Sequence, residues 1–195
     1  MSGSDDDPIA EAILSSDPDK RTRYEGWALL GQYDLPTKLR AAGALCGVTA
    51  AVVFGLALVR GATLDAILGE PLLRAAVSGS VMLATGLQFV TLGTVGLLLV
   101  GLRRRVPDLS DNEVERLVGV EETAALLAFG TGGMSILVSL AVLVVMAVTD
   151  PARVPGWVAN FATPMSLPVP YGVLGWWAAL LSGVALGGSL VFEDP

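Results

Sequence analysis

Four long apolar segments without a single charged side chain constrain this chain more than any other feature. They run over residues 41–59, 75–102, 123–148 and 174–192 and contain no Asp, Glu, Lys or Arg. At a rise of about 1.5 Å per residue, even the shortest segment spans about 29 Å, close to the hydrocarbon thickness of a bilayer. The sequence therefore predicts an all-α integral membrane protein whose four transmembrane helices form an antiparallel bundle.

The N-terminal composition divides the chain into two parts. We predict that residues 1–40 form a cytoplasmic acidic tail and an amphipathic interfacial helix, and that residues 41–195 form the four-helix membrane domain. The chain opens with small and acidic residues instead of the basic start of a signal peptide, so no cleavage is expected. Tyr24, Trp27 and Leu30 then recur at spacing three beside basic residues. This pattern suits a helix on the inner leaflet, or alternatively a helix that docks a partner.

The basic residues are distributed unevenly between the two sides of the predicted bundle. Nine lie before the first apolar segment or between the second and third, whereas the other two connections hold only three. Connections rich in Lys and Arg stay on the cytoplasmic side of a membrane. The sequence therefore predicts a multi-pass protein of the cell membrane with its N- and C-termini in the cytoplasm.

The composition argues against several classes of chemistry. The chain has no His, and its one cysteine, Cys46, lies within the first apolar segment. The commonest metal ligand, the usual general base and any intramolecular disulfide are therefore missing. We predict no enzyme activity, no metal site and no cofactor. The net charge of −7 and the preference for Arg over Lys indicate an acidic surface typical of halophiles, although a GC-rich genome also favours Arg.

Basic residues at the end of the second apolar segment predict an anchor on the inner leaflet, where they bind anionic headgroups. These few basic residues are not enough to bind nucleic acid on a chain whose net charge is negative. Ser110 and Glu113 then match a capping box and predict the start of a helix. That helix carries Glu121 and Glu122 to the membrane edge, within reach of the arginines. The anchor consists of Arg103, Arg104 and Arg105.

Small residues recur at helical spacing in three of the four apolar segments. In the first and fourth segments they recur every four residues, and in the second every seven. Such stripes let another helix backbone approach closely. The predicted helix-packing faces consist of Gly43, Gly47, Ala51, Gly55, Gly79, Gly86, Gly93, Gly183 and Gly187.

Polar side chains are sparse in the apolar segments. Among them, Gln88 has the highest free-energy cost of insertion into a membrane, because an amide in hydrocarbon needs hydrogen-bond partners. A hydroxyl from the third segment would supply one. The polar residues of the second segment scatter around the helix axis, which argues against a water-filled pore. Residues 130–133, rich in glycine, interrupt the third segment, either for close packing or to expose carbonyls to a ligand. The candidate polar site consists of Gln88, Thr85, Thr91, Thr131 and Ser135.

The connection over residues 150–172 combines five prolines with aromatic side chains. It is restrained by proline and too apolar to sit comfortably in water. It therefore either folds over the outer end of the bundle or sinks into the headgroup belt, or it serves as a docking surface for another membrane subunit or a lid over a lipid site. The candidate docking residues are Trp157, Phe161 and Tyr171.

These features favour a non-catalytic membrane subunit or scaffold that associates with other membrane chains through Gly-lined helix faces and an apolar outer loop. Its expected partners are the lipid bilayer and other membrane chains or a second copy of itself, with no nucleic acid. The alternative is a small carrier or channel with a mid-membrane polar site around Gln88. That alternative predicts an intramembrane charge or a continuous polar face, and the sequence indicates neither. A lipid-modifying enzyme is disfavoured, because no nucleophile or phosphate loop accompanies the acidic residues.

Overall fold

The structure, a computed structural model, describes residues 33–106, 109–165 and 169–193. The predicted acidic tail and nearly all of the predicted interfacial helix lie outside the described residues. Within the described ranges every regular element is helical, and one isolated bridge joins Val77 to Pro164. The elements are α1 (Leu35–Leu68), α2 (Ser78–Arg104), α3 (Asp111–Ala125), a π-helical segment (Leu126–Gly133), α4 (Met134–Val148), a 3-10 turn (Pro151–Arg153), α5 (Gly156–Phe161) and α6 (Tyr171–Val191).

Four of these helical stretches are long and apolar enough to cross a membrane. They are α1, α2, the continuous rod formed by α3, the π-helical segment and α4, and α6. We call this rod the third helix. Over the described residues, the prediction of an all-helical protein with four membrane-length helices is confirmed.

Local signals in the sequence determine where α1 begins and ends. The Asp34 side chain accepts a hydrogen bond from the Thr37 backbone N–H at 3.1 Å. Pro36 occupies the first turn, where a backbone N–H would have no acceptor within the helix, so the N–H that proline lacks is not missed. The helix therefore begins at Leu35, one and a half turns before the charge-free segment. It bends at Arg60, whose backbone is non-helical, and ends at Gly69, which adopts the left-handed conformation (φ 77°).

The third helix begins at the predicted capping box. Glu113 accepts from the Ser110 backbone N–H at 3.1 Å and from its hydroxyl at 3.0 Å. The glycine-rich stretch that interrupts the apolar segment lies inside the π-helical segment, which spans Leu126–Gly133. A π-helical turn is wider than an α-helical turn, so it changes the angular position of every residue that follows.

The bundle is built from two helix pairs. In the first, α1 packs along α6, the Ser182 hydroxyl donates to the Gly43 carbonyl at 2.7 Å, and the rings of Phe54 and Trp176 lie 5.5 Å apart. In the second, α2 packs along the third helix. Contacts of α1 with α4 and of α2 with α6 join the two pairs.

The bundle has two chemically different ends. At the basic end, the start of α1, the end of α2 and the residue after α6 meet, because Leu35 and Phe192 both lie beside Gly101. At the opposite end, which we call the loop end, backbone hydrogen bonds join the α1–α2 connection to the loop over residues 149–170. Ser78 donates to Thr163 at 2.9 Å, and Met165 donates to Ala76 at 3.2 Å.

The backbones of α2 and the third helix come into close contact where both helices have glycine. A Cβ atom at Gly86 would lie 3.0 Å from the Gly132 carbonyl oxygen and 3.1 Å from the Ile136 nitrogen. A Cβ atom at Gly132 would lie 2.9 Å from the Gly86 carbonyl oxygen. Since these neighbours are backbone atoms, a side chain at either position requires the helices to separate.

Replacing Gly86 by alanine is therefore expected to destabilise the bundle by about 1–3 kcal/mol, the usual cost of overpacking. The measurement is equilibrium unfolding in detergent micelles on titration with SDS. The matched control is Gly187→Ala, because no atom lies within 4 Å of a Cβ atom at Gly187. Equal stability of the two variants would contradict the close helix contact.

Candidate functional site

Three charged side chains from three helices meet at the basic end of the bundle. The Lys38 ammonium pairs with one carboxylate oxygen of Glu121, and the Arg104 guanidinium lies 2.8 Å from the other. Only 3% of the Lys38 side chain and 2% of the Glu121 side chain are exposed, whereas Arg104 retains 22%. We call Lys38, Glu121 and Arg104 the basic-end cluster.

The sequence around each member explains its position. Lys38 lies in the first turn of α1, on the same face as the buried Leu35 and Ala42. Glu121 lies on the buried face of α3, three residues before Ala124. Arg104 is the last residue of α2. Each helix thus contributes one charge to the same point.

Burial makes this cluster energetically demanding. Removing an ammonium and a carboxylate from water costs several kcal/mol each, and their attraction offsets this only when the pair stays intact. The second oxygen of Glu121 is compensated by Arg104, so two cations surround one carboxylate. Glu122 does not join the cluster, and no described residue hydrogen-bonds its Oε1 atom. The arrangement can hold α1, α2 and α3 in one register.

The other members of the arginine triplet also have partners within the chain. Arg103 lies 2.8 Å from Glu113, and Arg105 donates to the Val191 carbonyl while its guanidinium lies 5.1 Å from the centre of the Phe192 ring. The predicted ion pairing between the triplet and Glu121 is therefore present through Arg104. Arg103 and Arg105 remain exposed.

A cavity of about 180 Å³ adjoins the cluster beside Lys38. Only apolar atoms form its wall, so it suits hydrocarbon rather than a charged ligand. Among the described residues, no three Asp, Glu or Cys side chains converge on a common point where a metal ion would bind. The cavity is lined by Tyr33, Thr37, Lys38, Ala41 and Phe129.

The structure does not bring the candidate polar residues into one enclosed site. Gln88, Thr85 and Thr131 are exposed on the outside of the bundle, and Thr91 and Ser135 are half-buried. The Thr85 and Thr91 hydroxyls donate to carbonyls of their own helix, at 3.0 and 2.7 Å. None of the hydrogen bonds of the described residues joins Gln88 to the third helix.

The predicted packing residues fall into two groups. The first group packs inside the chain, since a Cβ atom at any of its members would meet another helix or loop within 3.1 Å. In the second group the three glycines have no such neighbour, and Ala51 is exposed. The first group is Gly43, Gly47, Gly79, Gly86 and Gly93, and the second is Ala51, Gly55, Gly183 and Gly187.

The candidate docking residues also separate. Trp157 is 51% exposed on α5, whereas Phe161 is half-buried. Tyr171 is buried at the start of α6, and its hydroxyl lies against Gly79. Tyr171 therefore packs the loop end of the bundle, and of these three residues only Trp157 presents a largely free surface.

Lys38 is the member of the cluster that the charge-free segments do not single out, because it lies three residues before the first of them. The helix-start signal at Asp34 and Pro36 would have extended α1 backwards and placed Lys38 in phase with Ala42 and Cys46. A lysine on the buried face of an apolar helix then requires an acidic partner.

The chain matches no protein-family model, and no curated protein or solved structure shows significant similarity to it. The assignment of function therefore rests on the residues themselves.

Replacing Glu121 by glutamine is expected to destabilise the protein by about 3–5 kcal/mol, because Lys38 stays buried without a counter-charge. The double variant Lys38→Met/Glu121→Leu removes both charges and is expected to recover most of this loss. Unfolding in SDS titrations measures both effects. The control is Glu193→Gln in the exposed pair with Arg40, where the expected change is below about 1 kcal/mol. A Glu121→Gln variant as stable as the wild type would show that the cluster does not hold the helices together.

Proposed function

We propose that this chain is a non-catalytic subunit or scaffold of the cell membrane that binds another membrane chain along α6. The open glycine pair on α6 supports this proposal most directly. Gly183 and Gly187 are exposed and four residues apart, and no atom lies within 4 Å of a Cβ atom at either. A pair of small residues at this spacing lets a second helix approach closely, which is how membrane helices associate without a hydrophobic driving force.

The surroundings of the glycine pair fit a helix-binding surface. Leu180, Val184 and Leu190 flank it and are 70%, 54% and 66% exposed. Large side chains beside a small-residue groove supply van der Waals contact with a partner on both sides of the groove. At the loop end, the ring of Trp157 is exposed and offers a further apolar contact for the same partner chain.

The proposal includes the arrangement of the helices in the bilayer. The short connections after α1 and after α2, and the contact of Gly43 near the start of α1 with Leu186 near the end of α6, support four spans of alternating direction. The Lys and Arg distribution supports a cytoplasmic basic end and cytoplasmic termini. The loop over residues 149–170 then lies on the outer side.

No observation favours the carrier or channel alternative over the scaffold. Gln88 and Thr85 lie on the exposed surface of α2, and the charges that the bundle buries form the basic-end cluster instead of a mid-membrane path.

The partner surface is tested by adding bulk at the glycine pair. The double variant Gly183→Leu/Gly187→Leu is expected to reduce co-purification of partner chains in mild detergent by at least tenfold, because leucine fills the groove. Its SDS unfolding midpoint should match that of the wild type, since the positions are open within the chain. The control, Ala141→Leu, adds bulk on the exposed face of α4 and should retain the partners. Retention of all partners by the double variant would contradict the proposal that a partner binds along α6.

The orientation is tested by labelling single cysteines in a Cys46→Ala background. Ala152→Cys lies in the outer loop and Asn112→Cys at the basic end, and both positions are exposed. A membrane-impermeant maleimide is expected to label Ala152→Cys in intact cells and Asn112→Cys only after permeabilisation. The reverse labelling pattern would place the termini outside the cell.

A further inference from the structure

Gln88 is a polar side chain in the middle of an exposed helix face. It lies near the midpoint of α2 and is exposed on the outside of the bundle. At about 100° per residue it points about 200° away from Gly86, which packs on the third helix. No described residue hydrogen-bonds it. In a bilayer, an amide with two N–H donors and a carbonyl acceptor would face hydrocarbon.

The residues around Gln88 form a continuous stripe along α2. They follow one another at steps of three, four, three, four and three residues, which is the spacing of a left-handed helix pair. The Thr85 hydroxyl already donates to the Val81 carbonyl, so the Gln88 amide is the one unsatisfied side-chain polar group in the stripe. The α2 stripe consists of Thr85, Gln88, Leu92, Val95, Leu99 and Leu102, all of which are exposed.

We infer that the α2 stripe binds a second copy of this chain in a parallel two-fold dimer, with the two Gln88 amides hydrogen-bonded to each other. An amide is self-complementary, since each copy can donate an N–H to the carbonyl of the other. Self-complementarity is what a two-fold interface requires, because the same patch faces itself.

The orientation of the two copies supports this geometry. Both copies insert in the same direction when the Lys and Arg distribution sets the topology. Their two-fold axis then runs along the bilayer normal, the two α2 helices are parallel, and Gln88 faces Gln88 at equal depth. A single polar residue in an otherwise apolar seam also fixes the register of the pair.

The α2 stripe is separate from the α6 surface. The inference rests on membrane insertion but not on the binding of another chain along α6. A copy on α2 leaves Gly183 and Gly187 free, so one assembly can hold a second copy and a different partner.

Cysteine cross-linking in native membranes tests the α2 stripe. In the Cys46→Ala background, Leu92→Cys, Val95→Cys and Leu99→Cys place single thiols on the stripe, and oxidation should join them into homodimers seen on a non-reducing gel. Leu137→Cys, equally exposed on α4, is the control and should give at least fivefold less dimer. Equal cross-linking at Leu137→Cys would overturn the inference. Cross-linking at Leu180→Cys on α6 but not on the stripe would also overturn it, and would leave the α6 proposal standing.

The amide itself is tested by Gln88→Leu. Loss of the interchain hydrogen bonds is expected to weaken dimerisation about 3- to 30-fold, measured by the dependence of dimer fraction on the protein-to-detergent ratio. Gln88→Asn keeps an amide and should retain more of the dimer than the leucine variant. Folding is expected to be unaffected by either change, because no described residue hydrogen-bonds Gln88, and SDS unfolding checks this. Wild-type dimerisation of Gln88→Leu, or mass-spectrometric identification of a different chain in the stripe cross-links, would refute the inference.

Discussion

The carboxylate of Glu121 connects three helices at one point, and the arrangement of the basic end depends on it. Lys38 brings the start of α1 to this carboxylate, and Arg104 brings the end of α2. A shift of either helix that separates this pair is costly, because it leaves a charge without its partner in a low-dielectric environment. The ion pairs therefore restrain the register of the helices at the basic end, while apolar packing holds them together along their length.

Glycine contacts determine which surfaces remain available for other chains. Along α2, Gly86 and Gly93 are in contact with the backbone of the third helix, so this side of α2 is closed. On α6, Gly175 packs on Phe54, whereas Gly183 and Gly187 are open. The bundle thus leaves open small residues on α1 and α6, and it also leaves the α2 stripe exposed.

Several local features of the fold could be predicted because they depend on neighbouring residues. The capping box at Ser110 and Glu113 needs only a spacing of three, and the structure forms it. The surroundings of Gln88 could not be predicted in the same way. Gln88 was expected to find a hydroxyl on the third helix, but it faces outward, because the glycines of α2 turn the opposite side towards that helix.

The sequence by itself determined that four segments are long and apolar enough for a membrane, because that property belongs to each segment's own composition. It also determined the start of the third helix, at the capping box of Ser110 and Glu113. Only the tertiary structure decided that Lys38 pairs with Glu121, 83 residues away, and which glycines are covered. The physical reason is that the direction a side chain faces depends on helix rotation, which is set by the packing of all four helices together.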